Sequence, residues 1–173
     1  GGTGAAPLEF IDYMGMALAD GLIFVSKVLK EYGLRDQIKI MASGKIITGF
    51  DIAKAMSLGA DACYSARGMM FALGCIQALQ CDSGKCPVGI ATQDKNLYKG
   101  LDITDKSVRV AHFHNNTLKA FAEFIGACGF DSPKAITPDV FYRRSVHKTN
   151  ESVSSLFYNN YENITKTEKI NIN

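Results

Sequence analysis

Apolar and polar positions along this chain recur with two periods. From Leu8 to Tyr32 the apolar set Met16, Leu18, Leu22, Ile23, Val25, Val28 and Leu29 falls broadly at helical spacing, which predicts a single helix starting near Glu9. Gly33 supplies its stop, and Arg35 to Gln37 is a polar turn. Ile38–Ala42 (IKIMA) is a short apolar run between polar and glycine residues, the pattern of a buried strand. Ser43-Gly44-Lys45 follows at that strand's C-terminal end. Thr48 or Asp51 is placed to cap a helix carrying Ile52, Ala53, Ala55 and Met56, and Leu58 to Asp61 (LGAD) closes it. Ala62–Ser65 (ACYS) is the next strand, with Ala66-Arg67-Gly68 as its C-terminal loop. Met69–Leu79 is helical in pattern and carries Cys75.

The order helix, strand, helix, strand, helix implies parallel strands joined by a crossover helix. In such folds ligands gather at the C-terminal ends of strands, where both glycine loops fall here. Two strands do not make a sheet buried on both faces. A full eight-stranded barrel takes roughly 250 residues, and this α/β portion corresponds to about its last quarter. The expected class is therefore α/β: the last two strands and helices of a (βα)8 barrel.

Beyond this unit Cys81–Thr92 reads as a loop and Lys95–Asp105 as irregular. Ser107–Cys128 reads as a second long helix, with Val110, Phe113, Leu118, Phe121, Ala122 and Ile125 on its apolar side and Gly129 at its end. Pro133 and Pro138 break the following stretch, and Val140–Tyr142 forms an apolar-aromatic turn. From Arg143 the chain is mostly polar, interrupted by Leu156, Phe157 and Tyr158, and the last 25 residues or so read as a surface-draped or partly disordered tail. The expected organisation is 1–94 for the barrel portion with the cysteine loop, 95–145 for a helical extension, and 146–173 for the tail.

Composition adds exclusions. An apolar fraction of 47% and a charged fraction of 21% over 173 residues describe one globular domain at most. A net charge of +2 gives no reason to expect nucleic acid or a charged membrane surface. No apolar run reaches the roughly 18 residues of a membrane helix. The opening GGTGAAP has no basic signal-peptide region, and a cytoplasmic protein is expected. A glycine-rich opening without an initiator methionine also suggests a chain that begins inside a larger fold.

Three of the five cysteines, Cys75, Cys81 and Cys86, stand in a C-x5-C-x4-C pattern followed by Pro87. Without a secretory signal, clustered thiols read as reduced metal ligands before disulfides. Structural zinc favours shorter gaps and four ligands. Three thiolates on one loop ending in Cys-Pro fit an iron–sulfur core of the [3Fe–4S] type, and Asp82 is adjacent should a fourth iron be held. Three ordinary thiols remain the alternative. Cys63 and Cys128 read as small buried residues. The loops Ser43-Gly44-Lys45 and Ala66-Arg67-Gly68 combine glycine, positive charge and a following helix, which suits a phosphate; two tight turns are the alternative. His112 and His114, two apart on a helix, do not share a face, and like His147 they read as structural. Phe10, Phe24, Phe71 and Phe113 read as core.

Four segments carry a resemblance: GGTGAAP at 1–7, ASGKIITG at 42–49, GADACYSARG at 59–68, and GC-x5-C-x4-CPVGIATQD at 74–94, with HFHNNTL at 112–118 beside them. Over roughly residues 1 to 145 the chain resembles the C-terminal part of the FMN-binding synthase domain of glutamate synthase. The cysteine-to-ATQ segment is the most specific part of the match.

The resemblance implies an FMN-bearing barrel with a [3Fe–4S] cluster on Cys75, Cys81 and Cys86. It implies an FMN phosphate held by Ser43, Gly44 and Lys45 with Ala66, Arg67 and Gly68, and it places Gly2-Thr3-Gly4 near flavin and substrate. In the family, electrons pass from the cluster to FMN, and reduced flavin delivers a hydride to the imine formed from 2-oxoglutarate and ammonia, giving glutamate. The implied partners are 2-oxoglutarate, ammonia (free or glutamine-derived), an electron donor such as ferredoxin or an NADPH-dependent subunit, and the rest of the barrel. The chain lacks the first six strands and the glutaminase domain, so a fragment inactive alone is expected. Another FMN- or phosphate-binding barrel oxidoreductase, and a non-catalytic fragment needing a partner chain, are the rival readings.

Overall fold

A computed structural model describes residues 6–144 and 150–153 of the chain. Its elements are helices α1 (Leu8–Asp12) and α2 (Leu18–Glu31), strand β1 (Met41–Ser43), helix α3 (Gly49–Ser57), strand β2 (Ala62–Tyr64), and helices α4 (Ala66–Leu73), α5 (Lys95–Tyr98) and α6 (Ile103–Ala127). Two 3-10 turns, Pro133–Ala135 and Pro138–Val140, precede the strands β3 (Tyr142–Arg144) and β4 (Asn150–Ser152).

The expected single helix over 8–32 is two helices. Gly15, at φ 85°, takes a left-handed conformation that an α-helix does not contain, so the chain breaks there and restarts at Leu18. The stop at Gly33 is as expected. Gly33 N–H donates to Lys30 O at 3.1 Å and Leu34 N–H to Leu29 O at 2.8 Å, the paired bonds of a Schellman closure. The first strand lies three residues later than expected, at Met41–Ser43, because the apolar side of the run is Ala42 (1% exposed) while Ile38 and Met41 stay open. β1 and β2 pair in parallel, Ala42 opposite Cys63, with α3 as the crossover. α3 begins at a full capping box. The Thr48 hydroxyl accepts Asp51 N–H, and the Asp51 carboxylate accepts Thr48 N–H.

Two clusters of buried side chains sit on opposite sides of α3. One joins Leu22 and Ile23 of α2 with Ala42, Ile46, Ala55 and Leu58. The other joins Ala53 of α3 with Ile125 of α6, Ile136 and Phe141. α3 can lie this close to α6 because Gly49 has no side chain; a Cβ there would stand 2.5 Å from Phe121 N and 2.9 Å from Thr117 O. Phe50, Phe124 and Phe141 form an aromatic trio with ring centroids 5.4 to 5.6 Å apart. These are not the expected core aromatics: Phe10 and Phe24 are exposed, and Phe71 and Phe113 are half-buried.

Three other expectations shift. The segment 95–105 is not irregular: it holds α5 and the start of α6, which begins at Ile103 where the Asp102 carboxylate accepts Thr104 N–H at 2.8 Å. The aromatic turn at 140–142 leads into β3, which pairs antiparallel with β4. β4 falls within the expected tail, and Val153 beside it reaches both buried clusters. Gly2, Thr3, Gly4, His147 and the Leu156–Tyr158 segment lie outside the described residues. Among those described, no helix is long and apolar enough to cross a membrane.

Candidate functional site

The cysteine loop leaves α4 at a sharp corner. The helix ends at Leu73, six residues before the expected Leu79, because Gly74 adopts φ 103°. Cys75 N–H then donates to Met70 O and Gly74 N–H to Phe71 O, both at 2.9 Å. Cys75 is therefore anchored on the first turn beyond the helix and is not part of it. Its sulfur accepts the Gln77 N–H at 3.5 Å. Between Cys75 and Cys81 the chain twice enters the left-handed region with a side chain present, at Gln77 (φ 58°) and Leu79 (φ 57°). Backbone of that kind is costly and persists where its surroundings hold it. The result is a cleft of about 250 Å³ onto which Cys75, Cys81 and Asp82 open, with Arg67 of α4 and Glu9 of α1 on its walls.

Cys86 does not line that cleft. It is buried, with 7% of its surface exposed. Burial by itself pushes its thiol upward, but backbone N–H groups of Ala91, Val88, Ile90 and Gly89 point at the sulfur and bring it below the ordinary thiol range. The turn after Pro87 makes this cradle, and Gly89 seats it against α5, since a Cβ there would meet Leu97 O at 2.7 Å and Tyr98 Cα at 2.8 Å. α5 is itself fixed by Asp94, which accepts Asn96 N–H at 2.8 Å. Among the described residues no three His, Cys, Asp or Glu side chains are gathered closely enough to hold a metal ion. The three sulfurs thus stand as a pair on one cleft and a third in an amide cradle nearby in sequence. The donor chemistry suits iron: soft sulfurs, with N–H groups aimed at one of them.

The two glycine loops differ in kind. Ser43 ends β1, and Gly44 (φ 155°) and Lys45 (φ 54°) turn the chain out of it. Gly44 and Lys45 line a second cleft, of about 230 Å³, with Leu18, Lys54 and Leu58. Ala66, Arg67 and Gly68 do not form a loop; they are the first turn of α4, and Arg67 faces the cysteine cleft. Gly68 is buried beneath α6, where a Cβ would lie 2.9 Å from Phe113 Cζ. Helix packing therefore accounts for that glycine. Cys63 packs on the first buried cluster, and burial pushes its thiol up, as a structural cysteine requires. Cys128 is half-buried, and both His112 and His114 are exposed.

Three features escaped the sequence reading: the amide cradle of Cys86, the reach of Glu9 to the cysteine cleft, and the turning of Ser65 away from its own helix. The signal for the first was present, since a Pro-x-Gly turn straight after a cysteine aims successive N–H groups inward. The other two depend on contacts between distant segments.

Residues 1–131 match the family model described as a conserved region in glutamate synthase. The chain belongs to that family. It is similar to the glutamate synthase large subunit-like protein YerD of Bacillus subtilis, 43% identical over 145 residues, covering 83% of this chain and 28% of the relative. The archaeal glutamate synthase [NADPH] of Methanocaldococcus jannaschii is 41% identical over 136 residues, 79% of this chain and 27% of its own. The ferredoxin-dependent glutamate synthase 2 of Synechocystis is 40% identical over 104 residues, 58% of this chain and 7% of the relative. The chain spans little more than a quarter of the first two relatives. The relatives are named as glutamate synthases, which are oxidoreductases.

Proposed function

We propose that this chain is the cofactor-bearing end of a flavin- and iron–sulfur-dependent glutamate synthase-type oxidoreductase, which aminates 2-oxoglutarate reductively to glutamate. In this reading β1 and β2 are the last two strands of a (βα)8 barrel, residues 1–94 form its end with the cysteine loop, and residues 95–145 are a helical extension. The carrying observation is the arrangement around the cysteines. Cys75 and Cys81 open onto one cleft beside Arg67, on a chain whose residues 1–131 match the conserved region of glutamate synthase.

In this reading each residue of the site has a part. Cys75, Cys81 and Cys86, which this structure does not gather around one point, would be the ligands of a [3Fe–4S] core, and the N–H groups around Cys86 would offset the negative charge its thiolate brings. Ser43, Gly44 and Lys45, with the first turn of α4 at Ala66, Arg67 and Gly68, are assigned to the FMN phosphate on their backbone N–H groups and positive charge, although Lys45 and Arg67 line separate clefts in this structure. The resemblance assigns Gly2, Thr3 and Gly4, which lie outside the described residues, to the flavin and substrate. When bound, the flavin supplies hydride transfer and the cluster one-electron passage, while the chain orients them. The relatives' names include both NADPH and ferredoxin, and an electron donor of either class suits a cytoplasmic enzyme. Ammonia and the remaining barrel complete the partner set.

The test is anaerobic reconstitution of the full chain with iron, sulfide and FMN. The reading expects a broad cluster absorbance under the flavin bands and about three irons per chain, with no glutamate formed until the remaining barrel is supplied. A protein that remains colourless and free of both flavin and iron overturns it.

A further inference from the structure

α4 turns two different sides to its neighbours. Gly68 and Ala72 share one side and are buried, Gly68 beneath the Phe113 ring of α6. Arg67 and Met70 share another, and both face the cysteine cleft. Cys75 N–H donates to Met70 O at 2.9 Å, which ties the first cysteine to the turn that carries this second side. Arg67 and Cys75 therefore stand at opposite ends of one rigid element, roughly 12 Å apart along its axis.

The charges around the cleft are one-sided. Its described lining holds two acids, Glu9 and Asp82, two thiols, Cys75 and Cys81, and a single cation, Arg67. Lys45 lines the other cleft, with Lys54. Lys106 Nζ lies 3.9 Å from where a Gly74 Cβ would stand, but it pairs with Asp105 at 3.0 Å and borders a different groove, with Met69 and Leu73. Among the described residues Arg67 forms no ion pair, so neither acid neutralises its charge by contact. The potential of an iron–sulfur core follows the net charge around it. One-electron reduction adds a negative charge, and a cation held nearby favours that state.

We propose that the Arg67 guanidinium is the countercharge of the cysteine site. It raises the reduction potential of a cluster held by Cys75 and Cys81 through its field across the cleft, and it does not contact the flavin phosphate. That role rests on the reading of these cysteines as cluster ligands. It takes the Arg67 side chain, though not its backbone N–H, out of the phosphate group.

The experiment is an EPR-monitored redox titration of the full chain after anaerobic reconstitution with iron and sulfide. Dissociation constants for FMN and for riboflavin, which lacks the phosphate, are measured beside it by flavin fluorescence. Arg67→Gln is expected to favour the oxidised cluster about threefold to tenfold, a downward shift of about 30–60 mV for one electron. FMN and riboflavin are both expected to stay within about twofold of wild type. Arg67→Lys keeps the charge and is expected to hold the potential within about 20 mV of wild type, a roughly twofold change. Should Arg67→Gln load no iron, full loading by Arg67→Lys supports the countercharge, and failure of both variants overturns it. An unshifted potential in Arg67→Gln overturns the inference and leaves the cluster reading standing. FMN weakened about fivefold or more with riboflavin unchanged does the same, and returns the guanidinium to the phosphate. A wild-type chain that takes up no iron overturns the cluster reading and this inference together.

Discussion

Arg35 Nη2 lies 2.9 Å from Asp61 Oδ2, and this pair ties the end of α2 to the entry of both strands. The same guanidinium donates to Ile38 O at 3.0 Å and Gly59 O at 2.8 Å, while Asp61 Oδ2 accepts Ile40 N–H at 2.8 Å. Both side chains are mostly shielded, 19% and 27% exposed, so the pair is worth more than an ordinary surface bridge.

This lock makes stability depend on acid. Burial raises the Asp61 carboxyl, but the Ile40 N–H, Arg35 and Lys39 outweigh it and hold it below its ordinary value. A carboxyl depressed in the folded state stabilises fully above its unfolded value of about 3.9 and loses that contribution as pH falls through the folded value. Asp61→Asn is expected to cost ~2 kcal/mol at neutral pH, with the gap to wild type closing as pH drops below about 4. Urea unfolding at pH 7 and pH 3 checks this, and a gap equal at both contradicts it.

For the cysteines, Cys75→Ser and Cys81→Ser are each expected to remove the cluster absorbance in the reconstituted full chain, with FMN affinity within about twofold of wild type. Cys86→Ser is expected to do the same and to leave the amide cradle without its thiolate. Iron and sulfide analysis reads all three. Full iron content in any of them removes that residue from the ligand set.

The two glycines packed against α6 separate by what they face. Gly49→Ala puts a Cβ against the backbone of Phe121 and Thr117, which cannot give way without moving a helix, and is expected to cost ~3 kcal/mol. Gly68→Ala meets the Ser65 hydroxyl and the Phe113 ring, both able to turn, and is expected to cost ~1–2 kcal/mol. Chemical denaturation gives the order; a Gly68 variant less stable than the Gly49 variant would falsify it.

Thr48→Ala opens the capping box of α3 and is expected to cost ~1 kcal/mol, whereas Thr48→Ser stays within a few tenths of wild type. Burial raises the Asp51 carboxyl, but bonds from Thr48 N–H, the Thr48 hydroxyl and Ile47 N–H, with Lys54, bring it below its ordinary value. The Thr48→Ala penalty is therefore expected to shrink in acid, as thermal melts at two pH values would show.

Much of this was legible along the chain because it is local. Gly33 lies where α2 must stop, Thr48 and Asp51 stand three apart as a capping box demands, and the run of α2, β1, α3, β2 and α4 follows from two hydrophobic periods. The cysteine spacing and the turn after Pro87 are equally local. Boundaries were read less well. The apolar pattern continued through Gly15 and past Gly74, while the backbone at each had left helical space.

What the amino-acid order determined by itself was the parallel strand–helix unit, its helix caps and a three-thiol loop, since hydrogen bonds and dihedral preferences a few residues apart settle these. Tertiary structure alone decided that Ser65 turns to Ile46, that Arg35 closes on Asp61, that Cys86 lies off the cleft shared by Cys75 and Cys81, and that Asn150–Ser152 pairs with Tyr142–Arg144. Each of these depends on which surfaces are brought together and sealed from water, and a donor finds its acceptor only after that approach is made.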